Sequence, residues 1–357
     1  MIVYLLMLIA VGVAVELYSL RHALDGVEYD LKLSKPIVEV DEKLQMVTII
    51  TNRRRRFLPF IRLNERVPQG IDAGRELYME SFTDQINTLE STVYMMPRQR
   101  LTRRTEISMP ARGRHLFRGA RLSGGDFLGL SERATLYPLE RELVVLPRTA
   151  DSDEIGRLLG GYMGDTSVNR FILEDPILTL GFREYTGREP MKMISWAQSA
   201  RTGQLMVKSY DYTVERTVTV MLNADTFAFG SYGQKMLERC YSMARSVCEA
   251  LEEQRIPYAF ITNTRTPGMA DGFGEVSDGL GRAHLMTVLE GLGRADYGHR
   301  DSLDILFDRA LSRATRGRMH VYITPVENDL HADVLEKLRQ ATGEDVLTLV
   351  AGEVDDA

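Results

Sequence analysis

Cysteine is almost missing from this chain. Cys240 and Cys248 are the only two in 357 residues, which excludes a disulfide framework of the kind that holds small secreted domains. On the helix expected there they lie about 12 Å apart along the axis, beyond disulfide reach. Two apolar thiols of this kind suit a reducing compartment. No Asn-x-Ser/Thr acceptor occurs either. Other absences bear on chemistry. The six histidines (His22, His115, His284, His299, His320 and His331) are scattered without zinc-site spacing. There is no Gly-x-Ser-x-Gly, no His-Glu-x-x-His and no Gly-Lys-Ser/Thr after a glycine cluster. The chain therefore advertises no nucleophile, metal or phosphate signature, and the expectation is a protein that is not an enzyme and needs no cofactor.

Lysine is absent from Thr51 to Arg121, yet that segment holds 15 arginines against 7 acidic residues, a net of +8. The rest of the chain carries −14, and the total of −6 argues against wholesale nucleic-acid binding. A basic segment of this kind reads as solvated strand faces or as attraction to anionic lipid headgroups. The tetra-arginine Arg53 to Arg56 reads as the cationic tip of a hairpin, facing a membrane, a partner or water. The lipid reading gains from the apolar run Met1 to Val15, which extends to Leu20 and then covers about 30 Å as a helix, a bilayer's thickness. No cationic segment precedes it and no Ala-x-Ala cleavage site follows. The expectation is a single-pass anchor over 1–20 in the cell membrane. The basic residues that follow it place the soluble domains in the cytoplasm.

After a short link, residues 27–148 alternate apolar and polar positions in short runs such as Tyr29-Asp-Leu-Lys-Leu and Gln45-Met-Val-Thr-Ile-Ile. Six to eight strands of this type predict an immunoglobulin-like β-sandwich. Residues 149–203 form a connector, in which Gly160-Gly-Tyr-Met-Gly164 reads as flexible. From 204 to 357 strands alternate with helices, which predicts a mostly parallel sheet covered on both faces. The fold class is thus all-β followed by Rossmann-like α/β, behind a membrane helix.

The densest constellation is Gly181 to Arg201, which places Arg183, Glu184, Tyr185, Gly187, Arg188, Pro190, Ser199 and Arg201 around Trp196, the only tryptophan. With Lys208, the charged members are expected to form a polar network around a buried indole at the junction of the two domains. Removing Trp196 should then cost about 3–5 kcal/mol. Part of the same face is expected to dock a protein, because Arg, Tyr and Trp dominate interface hot spots.

These residues resemble the hallmark of domain-of-unknown-function family 58. That hallmark runs Arg-x-Tyr, a Gly-Asp-Asp-Pro-Arg turn, Ile-Asp-Trp and Ser-Ala-Arg. Here Arg183, Tyr185, Gly187, Pro190, Ile194, Trp196, Ser199, Ala200 and Arg201 fall into place. Arg188 and Glu189 stand where two aspartates are usual, and Ser195 replaces the aspartate before the tryptophan. Arg112-Gly-Arg114 followed by Gly125-Asp-Phe-Leu-Gly129-Leu resembles the family's second motif. The resemblance implies a von Willebrand factor A-like second domain and a MoxR-type AAA+ ATPase as partner. It also directs attention to the first strand end, where such domains hold Mg²⁺ with Asp-x-Ser-x-Ser. This chain has Asn223, Asp225 and Phe227 there, with Thr226, Thr264 or Asp271 as further oxygen donors. A metal-dependent hydrolase or adhesion module at that end is the alternative. Removal of a charge and of an oxygen weighs against a hard cation, and a turn-shaping role for Asn223 and Asp225 is the simpler reading.

Overall fold

The protein is described from a computed structural model covering residues 2–74, 77–81, 86–125, 132–150, 152–166, 179–187, 191–210, 217–226, 230–269, 273–327 and 331–352. It divides into two compact units. The first comprises Met1–Ala150, Thr264–Phe273 and Met286–Arg300; the second comprises Asp151–Asn263, Gly274–Leu285 and Asp301–Ala357.

The first unit starts with helix α1 (Ile2–Arg21) and continues as strands. These are β1 (Val27–Leu33), β2 (Ile37–Val38), β3 (Leu44–Asn52), β4 (Leu58–Pro68), β5 (Leu77–Ser81), β6 (Ile86–Met95), β7 (Arg100–Ile107), β8 (Gly113–Phe117), β9 (Ala120–Gly125), β10 (Glu132–Tyr137) and β11 (Arg141–Val145). They form sheets of order β1-β3-β7, β10-β9-β4-β6-β5 and β2-β11-β8. Alternation along β3 and β4 turns one set of apolar residues inward. Leu31, Val38, Met46, Leu89, Phe117 and Leu143 share one core. Val27, Ile50, Ile61, Met95 and Leu122 share another, which Leu24 joins from just beyond α1. A Cβ at position 124 would lie 2.8 Å from the Leu24 side chain, so glycine there leaves room for that residue to pack against β9. Glu65 of β4 is fully buried, yet it is paired with Arg103 and accepts hydrogen bonds from the Thr48 and Tyr29 hydroxyls. Burial beside this carboxylate raises the Tyr29 phenol far above its ordinary range.

Two expectations change here. The arginine run 53–56 is not a hairpin tip, because it joins β3 of one sheet to β4 of another. The helix expected over 1–20 is present as α1. Among the described residues, however, no helix is long and apolar enough to cross a membrane.

The second unit opens with α2 (Ser152–Thr166) and a two-stranded ribbon, β12 (Thr179–Glu184) and β13 (Met206–Tyr210), with α3 (Trp196–Thr202) between its strands. Then follow β14 (Val218–Leu222), α4 (Gly230–Glu253), β15 (Tyr258–Thr262), β16 (Glu275–Gly279), α5 (Arg282–Arg294), α6 (Leu303–Ser312), β17 (Met319–Thr324), α7 (Ala332–Thr342) and β18 (Val346–Val350). The sheet order is β16-β15-β14-β17-β18, parallel except at β16. Every residue of β14, β15 and β17 is buried, as a parallel sheet covered on both faces requires. Met221, Ile261 and Tyr322 pack with Leu306 and Phe307 of α6 and Leu338 of α7. The fold is thus mixed α/β with several sheets. Cys240 and Cys248 are free and buried in α4, and burial pushes the Cys240 thiol up to about 12. The glycine cluster 160–164 is not a flexible link but lies inside α2. Ile155 and Leu159 are buried there, and the Tyr162 hydroxyl donates to the Asp345 carbonyl.

Arg112 explains why residues 286–300 belong to the first unit although they lie far along the chain. Its buried guanidinium donates through Nη1 to the carbonyls of Leu292 (2.6 Å) and Ala295 (2.7 Å). Those are groups that the end of α5 leaves without a partner in the helix. The guanidinium also lies 5.8 Å from the Tyr297 ring centroid. Two residues on, Arg114 binds Glu142 at 2.6 Å, and Arg294 pairs with the same carboxylate. Gly113 between them has φ 143°, open to glycine but not to other residues. The Arg-Gly-Arg motif is therefore a clamp on the end of α5. Arg112→Ala should lower stability by about 2–5 kcal/mol, since two buried carbonyls lose their donor. Hydrogen exchange should accelerate first in 286–300, and uniform acceleration across β14, β15 and β17 would contradict the clamp.

Candidate functional site

The hallmark segment folds as an insertion between two paired strands. Phe182 pairs with Lys208, Arg183 with Val207 and Glu184 with Met206. The Tyr185 N–H donates to the Leu205 carbonyl at 2.8 Å and closes the ribbon. The chain then returns through a single 3₁₀ turn, Met191–Met193, to Ile194, which bridges Val207. Ile194 and Val207 are buried, and the Ser195 N–H donates to the Met206 carbonyl at 2.8 Å.

Helix α3 starts immediately after Ser195. The Ser199 hydroxyl donates to the Ser195 carbonyl at 2.8 Å and accepts from the Met206 N–H at 2.8 Å, fastening the helix to β13. Gly203 ends the helix in the left-handed conformation at φ 74°, its N–H on the Ser199 carbonyl. Ser199 is thus a staple within the motif, and the spacing Ser195–Ser199–Gly203 is that of successive helical turns. Arg188 and Pro190, with Glu189, lie outside the described residues.

The indole does not fill a buried junction. Trp196 is 62% exposed, and α3 buries none of its residues. Its surroundings are exposed as well: Met191 at 69%, Phe182 at 43% and Leu205 at 45%. Arg183, Glu184, Gly187 and Arg201 are exposed, while Tyr185 and Lys208 are half-buried. The expected buried polar network around Trp196 is therefore corrected to a surface of charge and apolar side chains. The reason is physical: Ile194 and Val207 already occupy the interior between helix and ribbon, and the helix that follows is too short to bury its own first residue.

At the first strand end, Asn223 is buried and its amide is fully engaged. Its Nδ2 donates to Thr324 Oγ1 at 3.2 Å, and its Oδ1 accepts from the Asp225 N–H (2.8 Å) and from Asn263 Nδ2 (3.2 Å). Asn263 Oδ1 in turn accepts from the Ala224 N–H at 2.7 Å. Asp225 and Thr226 are half-buried beside this lattice. The adjoining Tyr322 hydroxyl is hydrogen-bonded to His331 Nδ1 at 3.1 Å. Burial raises the phenol to about 12 and lowers the imidazole, against the pull of Asp225. Phe227 and Asp271 lie outside the described residues, and Thr264 belongs to the first unit. Among the described residues no cluster of three His, Cys, Asp or Glu side chains could hold a metal ion. Among the described residues the donors do not fit Mg²⁺: the neutral amide oxygen is spent on two hydrogen bonds, and Asp225 is the one carboxylate beside it. Asn223 and Asn263 tie the ends of β14, β15 and β17 together, a role that neither spacing nor composition announced.

An exposed indole has a simple optical consequence. With one tryptophan, the native emission should be red-shifted and freely quenched by acrylamide. Trp196→Ala should change stability by no more than about 0.5 kcal/mol, as for other surface sites. A blue-shifted, shielded emission from the isolated protein would contradict the exposed placement.

Residues 181–351 match the family described as protein of unknown function DUF58. The uncharacterized protein YeaD of Bacillus subtilis (strain 168) is 24% identical over 190 residues, covering 52% of this chain. The match spans 44% of that relative's length. Among solved structures, the CARDB domain of a Pyrococcus furiosus protein in complex with di-metal ions matches at 12% identity and a TM-score of 0.22. It covers 34% of this chain and 90% of its own. A cohesin module from the family 33 glycoside hydrolase of Clostridium perfringens covers 33% and 96%, at 10% identity and a TM-score of 0.24. Scores of this size leave the fold and ligands of the present chain unaddressed. The matched residues 181–351 contain α3 and the whole five-stranded sheet, so it is the hallmark segment and the α/β sheet that are similar to the DUF58 family.

Proposed function

We propose that this protein is a membrane-anchored, non-enzymatic scaffold whose α3 surface docks a protein partner. By family resemblance that partner is a MoxR-type AAA+ ATPase acting in assembly or remodelling of membrane or envelope complexes. In this reading the first unit is an immunoglobulin-like module near the bilayer, and the second is a von Willebrand factor A-like module facing the cytoplasm.

The observation that carries the docking role is the exposure of Trp196. A large aromatic held in water by a stapled helix, with Met191, Phe182 and Leu205 also exposed, costs solubility unless something covers it. Arg183, Lys192 and Arg201 supply the charged surroundings usual for a hot spot. Anchoring is supported by α1. Six consecutive residues, Ala10 to Val15, are exposed, which is more than one full turn. No face of that stretch rests on the protein, and an apolar helix without a polar face belongs in hydrocarbon.

The full chain in nanodiscs should bind the MoxR-type ATPase of the same organism. Trp196→Ala should weaken that binding on the order of thirtyfold, the size of a hot-spot loss, with its melting curve unchanged. Equal binding by the variant would remove α3 from the interface. For topology, an introduced Ala357→Cys should resist an impermeant thiol reagent in intact cells, and ready labelling would reverse the orientation.

A further inference from the structure

We propose that a collar of arginines at the C-terminal end of α1 binds the phosphates of anionic phospholipid headgroups. The inference rests on the membrane-anchored reading above and assigns residues to it.

Four separate chain segments bring Arg21, Arg53 to Arg56, Arg98 and Arg133 to one place. The Arg53 N–H donates to the Gly26 carbonyl at 2.9 Å, which pins the β3–β4 connector to the exit of α1. The Arg56 guanidinium lies 4.9 Å from the centroid of the Tyr18 ring in the last turns of the helix. Asn52 Nδ2 donates to the carbonyls of Arg56 (2.8 Å) and Met96 (3.0 Å), and the Arg98 N–H donates to the Arg54 carbonyl (2.9 Å). These bonds tie the connector to the β6–β7 turn. From β10, Arg133 donates through Nη1 to the Arg21 carbonyl at 2.7 Å.

Among the described residues, counter-charge falls short of this collar. Glu28 meets Arg53 at 2.6 Å and Asp25 meets Arg54 at 3.9 Å, both on the surface, where such pairs contribute little. The negative end of a helix dipole is answered by one or two cations in its last turn. Seven arginines exceed that need. They repel one another unless an anion lies among them.

Three features select the anion. Every member is arginine, whose fork grips phosphate oxygens bidentately. Phe57 and Met96 are exposed within the same two loops, Tyr94 beside them and Tyr18 on the helix, an apolar and aromatic fringe fitted to a bilayer interface. The net charge of −6 over the chain disfavours a nucleic acid. The collar also stands at the end of the helix whose residues Ala10 to Val15 are exposed, where headgroups of an anchoring bilayer would lie.

The test uses the full chain and its Arg53→Gln/Arg54→Gln/Arg55→Gln variant, leaving Arg56 on Tyr18. Each is placed with vesicles of phosphatidylcholine alone or mixed with phosphatidylglycerol, and read by flotation and by hydrogen exchange. We expect both proteins to float with both vesicles. Amides of 53–57 and 96–98 should gain protection only with phosphatidylglycerol, only in the unaltered chain, and less in high salt. Preference for the anionic vesicle should fall by about fivefold for each arginine removed near the surface. Flotation with both vesicles but equal protection and equal preference would overturn the collar and leave the anchor standing. Flotation with neither would overturn the anchored reading itself, and the collar with it.

Discussion

Two hydrogen bonds from one buried guanidinium fasten the end of α5 to the first unit. Arg112 satisfies the last carbonyls of α5, and the segment 286–300 is thereby held to strands more than a hundred residues earlier in the chain. An arginine suits the position because it reaches two carbonyls from one nitrogen and keeps its charge at every physiological pH. Arg114, Glu142 and Arg294 extend the clamp into a chain of ion pairs in which no charge is left alone.

The hallmark segment depends on a smaller device of the same kind. Ser199 uses its hydroxyl twice, once as donor within α3 and once as acceptor from β13, so a seven-residue helix is fixed without burying a side chain. Isolated helices of that length are unstable in water. What the staple achieves is a rigid exposed platform, and Trp196 is its largest side chain. Exposure and rigidity together make the interaction reading economical, because the partner need not order the surface it meets.

Much of the architecture was legible from periodicity. β1, β3 and β7 alternate plainly, and the α/β order from β14 to β18 follows from apolar runs separated by amphipathic helices. β4 was hidden because Glu65 occupies an inward position, made tolerable only by Arg103, Thr48 and Tyr29 from other strands. β10 is exposed along almost its whole length and shows no alternation to read. Gly160 and Gly161 suggested a flexible link, whereas buried Ile155 and Leu159 carry the helix through them. At the site, the sequence placed Trp196 inside, whereas the structure exposes it. Which of Ile194, Val207 and Trp196 fills the interior depends on the ribbon's pairing, and that is not written in local spacing.

The interaction reading stands or falls on whether something covers the indole. Emission from Trp196 in the full chain, recorded as the candidate ATPase, with any tryptophans of its own replaced by phenylalanine, is titrated in, reads that directly. The account predicts a saturable blue shift with loss of acrylamide quenching, because docking removes the ring from water. An unchanged, fully quenchable emission at concentrations where the two proteins are bound would contradict it.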